Sequence, residues 1–283
     1  MTNSDPLLAW VGRTETRVDQ VTPTPVAALA ATLDRGDLPP ASGDPLPPLW
    51  HWLYFLPLAR QSEIGRDGHP QRGGFLPPVP LPRRMWAGGR FDFLQPLHVG
   101  ERIERTSRIA DVTSKEGRSG PLVFVLVRHE IACERGIAIV EEHDIVYRGE
   151  PQPGERPAAG RPAPGDAAWT RTIHPDDVLL FRYSALTFNG HRIHYDRRYV
   201  TEVEGYPGLV VHGPLIATLL VDLLRRNRPA ATIARFVFRA MSPLFDVAPF
   251  SVNGKPEDGA TRVSLWAANA AGELAMDAMA NLA

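Results

Sequence analysis

The run Asn189-Gly-His-Arg-Ile-His194 puts two imidazoles and a carboxamide close together, and His212-Gly-Pro214 follows it before a long apolar stretch. Imidazole titrates near neutral pH, so His194 can take a proton from water in one direction of a reaction and return it in the other. Asn189 cannot act as a base, but its amide can hold a water or a substrate carbonyl in line. His191 is a second proton carrier, a donor that fixes an attacking water, or a residue that packs the loop. Asn189-Gly190 favours a turn over a helix, so the two histidines do not share a face automatically. Gly213 stands at a helix start, where backbone N–H groups lack intrahelical partners and can point at an oxygen that gains charge. Pro214 has no N–H, so the donor is Gly213 or a residue beyond it. His212 lines the pocket or caps the turn. A His-x-x-His pair also raises the question of a metal. No Glu is placed as in His-Glu-x-x-His, and one cysteine, Cys133, rules out a cysteine cluster, so no metal is expected.

The elements that position these residues form a repeated order. Residues 150–168 are rich in Pro, Gly and Ala without apolar periodicity and read as a linker between an N-terminal unit, 1–149, and a C-terminal unit, 169–283. Three matches recur in the same order in the two units. Thr14-Glu-Thr-Arg17 corresponds to Thr170-Arg-Thr-Ile173, each an alternating strand followed by a helix start. Pro48-Leu-Trp-His-Trp-Leu-Tyr-Phe-Leu56 corresponds to the run from Pro214 to Leu224, each an apolar helix opened by proline. Arg90-Phe-Asp-Phe93 corresponds to Arg235-Phe-Val-Phe238. Alternating or β-branched strands then read at 101–112, 122–131 and 137–147, and again at 232–239, 250–253, 261–267 and 274–279. The order implies a duplicated unit of roughly 140 residues, an ordinary domain size. Each copy is a curved antiparallel sheet around one helix. The first copy has no counterpart of His-Arg-Ile-His between Val21 and Pro48, so one site per chain is expected. The first copy then supplies a groove, with Trp50, Trp52, Tyr54 and Phe55 in its core or its wall.

Composition narrows the function classes. The chain has 283 residues, 43% apolar and 22% charged, and 31 basic against 32 acidic side chains. That balance gives no argument for nucleic acid or an anionic membrane as a partner. Lys115 and Lys255 are the only lysines. A lone cysteine excludes an internal disulfide, and no apolar run reaches membrane-spanning length, so a cytoplasmic protein is expected. The N-terminal residues show no signal-peptide pattern.

Residues 181–215 resemble the hydratase motif of the MaoC-like dehydratases, a hot-dog-fold family. The aliphatic residue and histidine at Ile193-His194, and the following Tyr195-Asp196, match that motif. Asn189 stands where the family usually has its catalytic aspartate, His191 where it has asparagine and Arg192 where it has proline. Within the family the string Phe181-Arg-Tyr-Ser-Ala-Leu-Thr-Phe-Asn-Gly-His-Arg-Ile-His-Tyr-Asp196, with Arg84-Met-Trp-Ala-Gly-Gly89, Gly117-Arg-Ser-Gly120 and Asp144-Ile-Val-Tyr-Arg148, looks closest to the mesaconyl-C4-CoA (3-methylfumaryl-CoA, itaconyl-CoA) hydratase branch. The resemblance implies an α+β double hot-dog fold, hydration or dehydration of an α,β-unsaturated acyl-CoA, and no cofactor beyond the CoA carried by the substrate. It assigns Gly213 the oxyanion role and puts His194, Asn189 and His191 at the chemistry. The phosphates of CoA and a free acyl carboxylate call for local cations, and Arg182, Arg192 and Arg118 are the candidates, with a solvated face as the plain alternative. Arg192 stands out because it sits between two proposed site residues. Tyr183 and Ser184 hydrogen-bond substrate or pack the core. The competing readings are a hot-dog thioesterase, an acyl-ACP dehydratase, and a non-catalytic thioester-binding module. A homodimer is possible.

Overall fold

The computed structural model describes residues 6–117, 120–149, 160–257, 259 and 261–283. Alternating and short apolar runs build ten strands among the described residues: β1 (Thr14–Gln20), β2 (Arg83–Phe93), β3 (Arg102–Gly117), β4 (Gly120–Cys133), β5 (Gly136–Arg148), β6 (Trp169–Ile173), β7 (Ile233–Ala240), β8 (Phe250–Pro256), β9 (Arg262–Ala268) and β10 (Leu274–Leu282). They form one antiparallel sheet in the order β1-β3-β4-β5-β2-β7-β10-β9-β8-β6. Read from either end, the order is the same, so a pseudo-twofold axis crosses the β2–β7 junction. Phe91 faces Phe236 across that junction, which puts the two matching Arg-Phe-x-Phe segments in symmetric register. Both phenylalanines are fully buried, and Phe91 stacks on Phe238 at 6.0 Å.

Among the described residues there are four α-helices, α1 (Pro23–Thr32), α2 (Asp177–Leu186), α3 (Arg197–Glu202) and α4 (Gly213–Asn227), beside short 3-10 turns. Helix α4 packs on β6, β8, β9 and β10, and every residue from Leu215 to Leu224 is buried. This is the C-terminal hot-dog unit. Its N-terminal partner departs from expectation at one element. The apolar run 48–56 does not form a long helix; only Trp50–Leu53 makes a short 3-10 turn. Leu49 and Phe55 adopt positive φ on either side of it, and Pro57 disfavours helical backbone at Leu56. Eight residues between two prolines are too few to hold a helix against those ends.

Buried polar side chains stand among the apolar ones beneath that short turn. Glu141 is buried and accepts from His51 Nε2 at 2.6 Å and from Trp52 Nε1 at 3.3 Å, while His143 Nε2 stands 2.9 Å from its other oxygen. His129, also buried, lies against His143 and hydrogen-bonds Ser107. By register, Glu141 and His129 correspond to Ala280 and Val263, which are apolar and buried beneath α4. Trp50, Tyr54 and Phe55 are core; Trp52 is partly buried against Trp86 and Phe91.

Of the Pro/Gly/Ala stretch 150–168, residues 150–159 lie outside the described residues. The remainder runs along the β9–β10 turn: Ala163 donates to Gly272, Leu274 donates to Arg161, and Ala163 and Ala167 cover Trp266 and Leu274. No helix among the described residues is long and apolar enough to cross a membrane.

Candidate active site

Helix α2 is capped by Asp176, whose side chain accepts from the Leu179 N–H, and it ends where Phe188 turns to positive φ. The chain then doubles back, with Asn189 N donating to Ser184. Asn189 Oδ1 accepts from His191 N at 3.0 Å. The side chain thus closes an Asx turn, the local use this residue type favours, and its oxygen is committed to backbone rather than free for substrate. His191 heads the 3-10 turn Arg192–His194, and Asp196 caps α3 behind it.

His194 is 7% exposed. Its Nδ1 lies 2.7 Å from the Val210 carbonyl oxygen, which can only accept, so Nδ1 carries the hydrogen and Nε2 keeps its lone pair. Burial pushes its pKa down to about 4, and it is neutral at physiological pH. His212 stacks on it at 3.7 Å, and Ser184 Oγ holds the His212 Nε2 at 2.8 Å. His212 is wholly buried, so it supports the imidazole of His194 from behind. Gly213 opens α4 directly after it, and a Cβ built at Gly213 would meet nothing within 4 Å. Open space therefore lies on the Cβ side of Gly213.

Two sequence candidates for substrate contact, Arg192 and Tyr183, have other partners. Arg192 donates through Nε and Nη2 to Asp196, through Nη1 to the Arg66 carbonyl, and stacks on Tyr199 at 4.1 Å. Its fork is occupied in fixing the turn. Tyr183 is buried with its hydroxyl on Thr218 and belongs to the core under α4. Arg182 is exposed on the outer side of α2. Arg118 lies outside the described residues.

Sequence reasoning missed a contribution from the N-terminal half. The tight loop Gly65-Arg-Asp-Gly-His-Pro70 docks on the strip. Arg192 N donates to the Asp67 carbonyl, and a Cβ at Gly68 would lie only 1.8 Å from the Gly190 carbonyl oxygen. Gly68 also has φ +89, so glycine is required twice over. Within the loop His69 donates from Nδ1 to Asp67 Oδ2 at 3.0 Å and from its backbone N to Oδ1 at 3.1 Å. The His69 ring lies 4.0 Å from that of His191, which is 5.5 Å from His194. Burial opposes ionisation of Asp67, yet the hydrogen bonds and charge of His69 outweigh it and hold the carboxyl well below the usual range. Burial lowers the pKa of His69 and takes His191 down to about 2, the latter further depressed by His69 and His194. The signal available in the sequence was a carboxylate and an imidazole two apart in a glycine turn. Asp67, His69 and His191 place ligand-type atoms within 4.8 Å of one another, as do His129, Glu141 and His143. No spacing in the sequence brings either group together.

The resulting arrangement offers a neutral imidazole with a fixed tautomer, a helix start with open space on the Cβ side of Gly213, and a carboxylate-bound imidazole from the other half. Residues 49–246 match the family described as hydroxyacyl-thioester dehydratase type 2. The chain is 50% identical to the mesaconyl-C4-CoA hydratase of Chloroflexus aurantiacus over 275 residues, 97% of each chain. Among solved structures, a MaoC-like dehydratase superposes with a TM-score of 0.72 at 16% identity, covering 98% of this chain and 99% of its own. A Mycobacterium tuberculosis protein described as a double hot-dog fold superposes with a TM-score of 0.59 at 12% identity, covering 96% of each chain. The double hot-dog architecture, the matched motif span and the near full-length identity agree, and the chain belongs to the hydroxyacyl-thioester dehydratase type 2 family of MaoC-like hot-dog proteins.

Proposed function

We propose that the protein is an enoyl-CoA hydratase that adds water across the 2,3 double bond of a short, branched, dicarboxylic acyl-CoA such as mesaconyl-C4-CoA, and removes it in the reverse direction. The observation that carries the chemistry is His194, held neutral with Nε2 free beside the start of α4. Its Nε2 takes a proton from the water that attacks C3. The thioester oxygen gains enolate charge as C2 becomes nucleophilic, and the N–H groups at Gly213 and beyond meet it there. His212 and the Val210 carbonyl keep the ring from turning. The acyl preference rests on the 50% identity to the Chloroflexus aurantiacus enzyme. A distal carboxylate needs a cation, and Arg192 is already engaged. Arg84, on β2, is close enough to His69 and His191 for its charge to depress the pKa of both, and is assigned that role.

The test is incubation of purified protein with mesaconyl-C4-CoA, itaconyl-CoA and crotonyl-CoA, following the double-bond absorbance and free thiol separately. Water addition is the expected result. Release of free CoA would indicate a thioesterase, and inertness toward all three would overturn the proposal. His194→Ala should lower kcat by roughly 100-fold or more, the usual scale for a general base; an unchanged rate would point to a binding module.

A further inference from the structure

Hydration requires a second proton, delivered to C2, and Asn189 at the usual aspartate position cannot carry it. Its side chain is also held by the backbone of His191. The strip nevertheless faces a carboxylate, because the loop 65–70 of the N-terminal half brings Asp67 and His69 against it. We propose that the Asp67–His69 pair, supplied by the N-terminal half, is the proton donor to C2 and takes the place of the missing aspartate. This inference rests on the hydratase reading above.

Three observations converge on His69. Among the imidazoles that meet at the strip, namely His69, His191, His194 and His212, it is the one hydrogen-bonded to a carboxylate. Asp67 fixes Nδ1, so Nε2 is the atom left to exchange a proton with substrate. Its side chain is 22% exposed, whereas His194 and His212 are buried, so His69 stands on the open side of the cluster. His191, between His69 and His194, contacts both rings without a carboxylate of its own.

The step balances. An O–H bond of water breaks, its oxygen bonds C3, and the released proton goes to His194 Nε2. The π electrons move onto C2 and the thioester oxygen. The enolate carbon then takes the proton from Nε2 of the His69 imidazolium, whose N–H electron pair stays on nitrogen. The proton on His194 returns to His69 through His191 or solvent after the product leaves. Asp67 is the positioning residue: it orients His69 and stabilises its charged form. The half-exposed Asp67 carboxylate opposes the cost of charging an imidazole here, as Arg84 and Arg72 increase it.

The experiment compares His69→Gln, Asp67→Asn and His194→Ala with wild type, using mesaconyl-C4-CoA for turnover and the hydrated product in D2O for exchange of the C2 hydrogen. His69→Gln should lower kcat by about 100-fold or more with KM changed by less than about 3-fold, and should slow C2 exchange in step. Asp67→Asn should lower kcat by about 10-fold or more and move the alkaline limb of its pH profile to lower pH. Circular dichroism and thermal melting identify a variant that has unfolded; His69→Asn, which keeps a polar group at the loop, then serves in place of His69→Gln. If His69 variants retain wild-type kcat and C2 exchange while His194→Ala is inactive, this inference is wrong and the hydratase reading stands. If wild type hydrates none of the enoyl-CoA esters, the reading itself has failed. A stoichiometric divalent metal in the purified protein, lost with Asp67→Asn, would replace the proton-donor role with a metal one and overturn the proposal.

Discussion

At the scale of single residues, the chemistry depends on burial more than on residue type. His194 has an unfolded pKa near 6.5 and a folded one of about 4. In that window the unfolded chain binds the extra proton, so the stability from neutral His194 is complete above pH 6.5 and disappears as pH falls toward 4, by up to about 3 kcal/mol. Urea midpoints measured between pH 7 and 4.5 should fall accordingly, and His194→Gln should flatten part of that slope; parallel slopes would refute the assignment. Arg84 offers a complementary test of specificity. Arg84→Leu should raise KM for mesaconyl-C4-CoA by about 10-fold or more while leaving crotonyl-CoA within about 3-fold, since crotonyl-CoA has no distal carboxylate to lose its partner. Equal effects on both esters would assign Arg84 a structural role. The sequence alone singled out His194 and Gly213 as candidates, because motif spacing and a proline-opened helix are local features. It misplaced Arg192 because its partners, Asp196 and the Arg66 carbonyl, depend on a fold that spacing does not reveal.

At the scale of elements, strands such as β1, β3 and β4 were legible because a two-residue alternation survives in them, and β9 and β10 because they are short apolar runs. The run 48–56 was read as a helix because its apolar content is helix-like. The positive φ at Leu49 and Phe55, which ends it, leaves no trace in an apolar pattern. The loop 65–70 escaped notice for the opposite reason, being polar and aperiodic. Helix α4 is anchored by a buried ion cluster that sequence reading also passed over: Asp222, 1% exposed, accepts from Arg35 at 2.6 Å, Arg171 at 3.0 Å and Arg226 at 2.7 Å. Arg35 comes from the N-terminal half and Arg171 from β6, so the cluster ties α4 to both units. Asp222→Ala leaves three guanidinium groups around a vacated buried site, and should cost about 3–5 kcal/mol in chemical denaturation. A loss below about 1 kcal/mol would show that water replaces the carboxylate without penalty.

At the scale of the whole molecule, the two units share one sheet and one aromatic junction, with Phe91, Phe236, Phe238, Trp86 and Trp52 in mutual contact around it. Neither half can lose β2 or β7 without exposing the other's core edge. Calorimetry should therefore show one cooperative transition, with van't Hoff and calorimetric enthalpies equal; two resolved transitions would contradict a shared core. Duplication, and the placing of the strip in the second copy alone, were readable from the sequence, but the docking of the 65–70 loop on that strip was not. The strip lies in one copy and the Asp67 loop in the other, a relation that only the closed structure displays.

The pseudo-twofold at Phe91 and Phe236 has a genetic consequence. In a symmetric dimer of identical units, one codon change alters both faces at once, so a glutamate introduced beneath one helix would also appear beneath its twin. Fusion into a single chain frees each copy to drift separately. Glu141 and His129 in one half, where Ala280 and Val263 remain in the other, record that freedom: one copy keeps its helix as scaffold while its sibling trades packing for polarity.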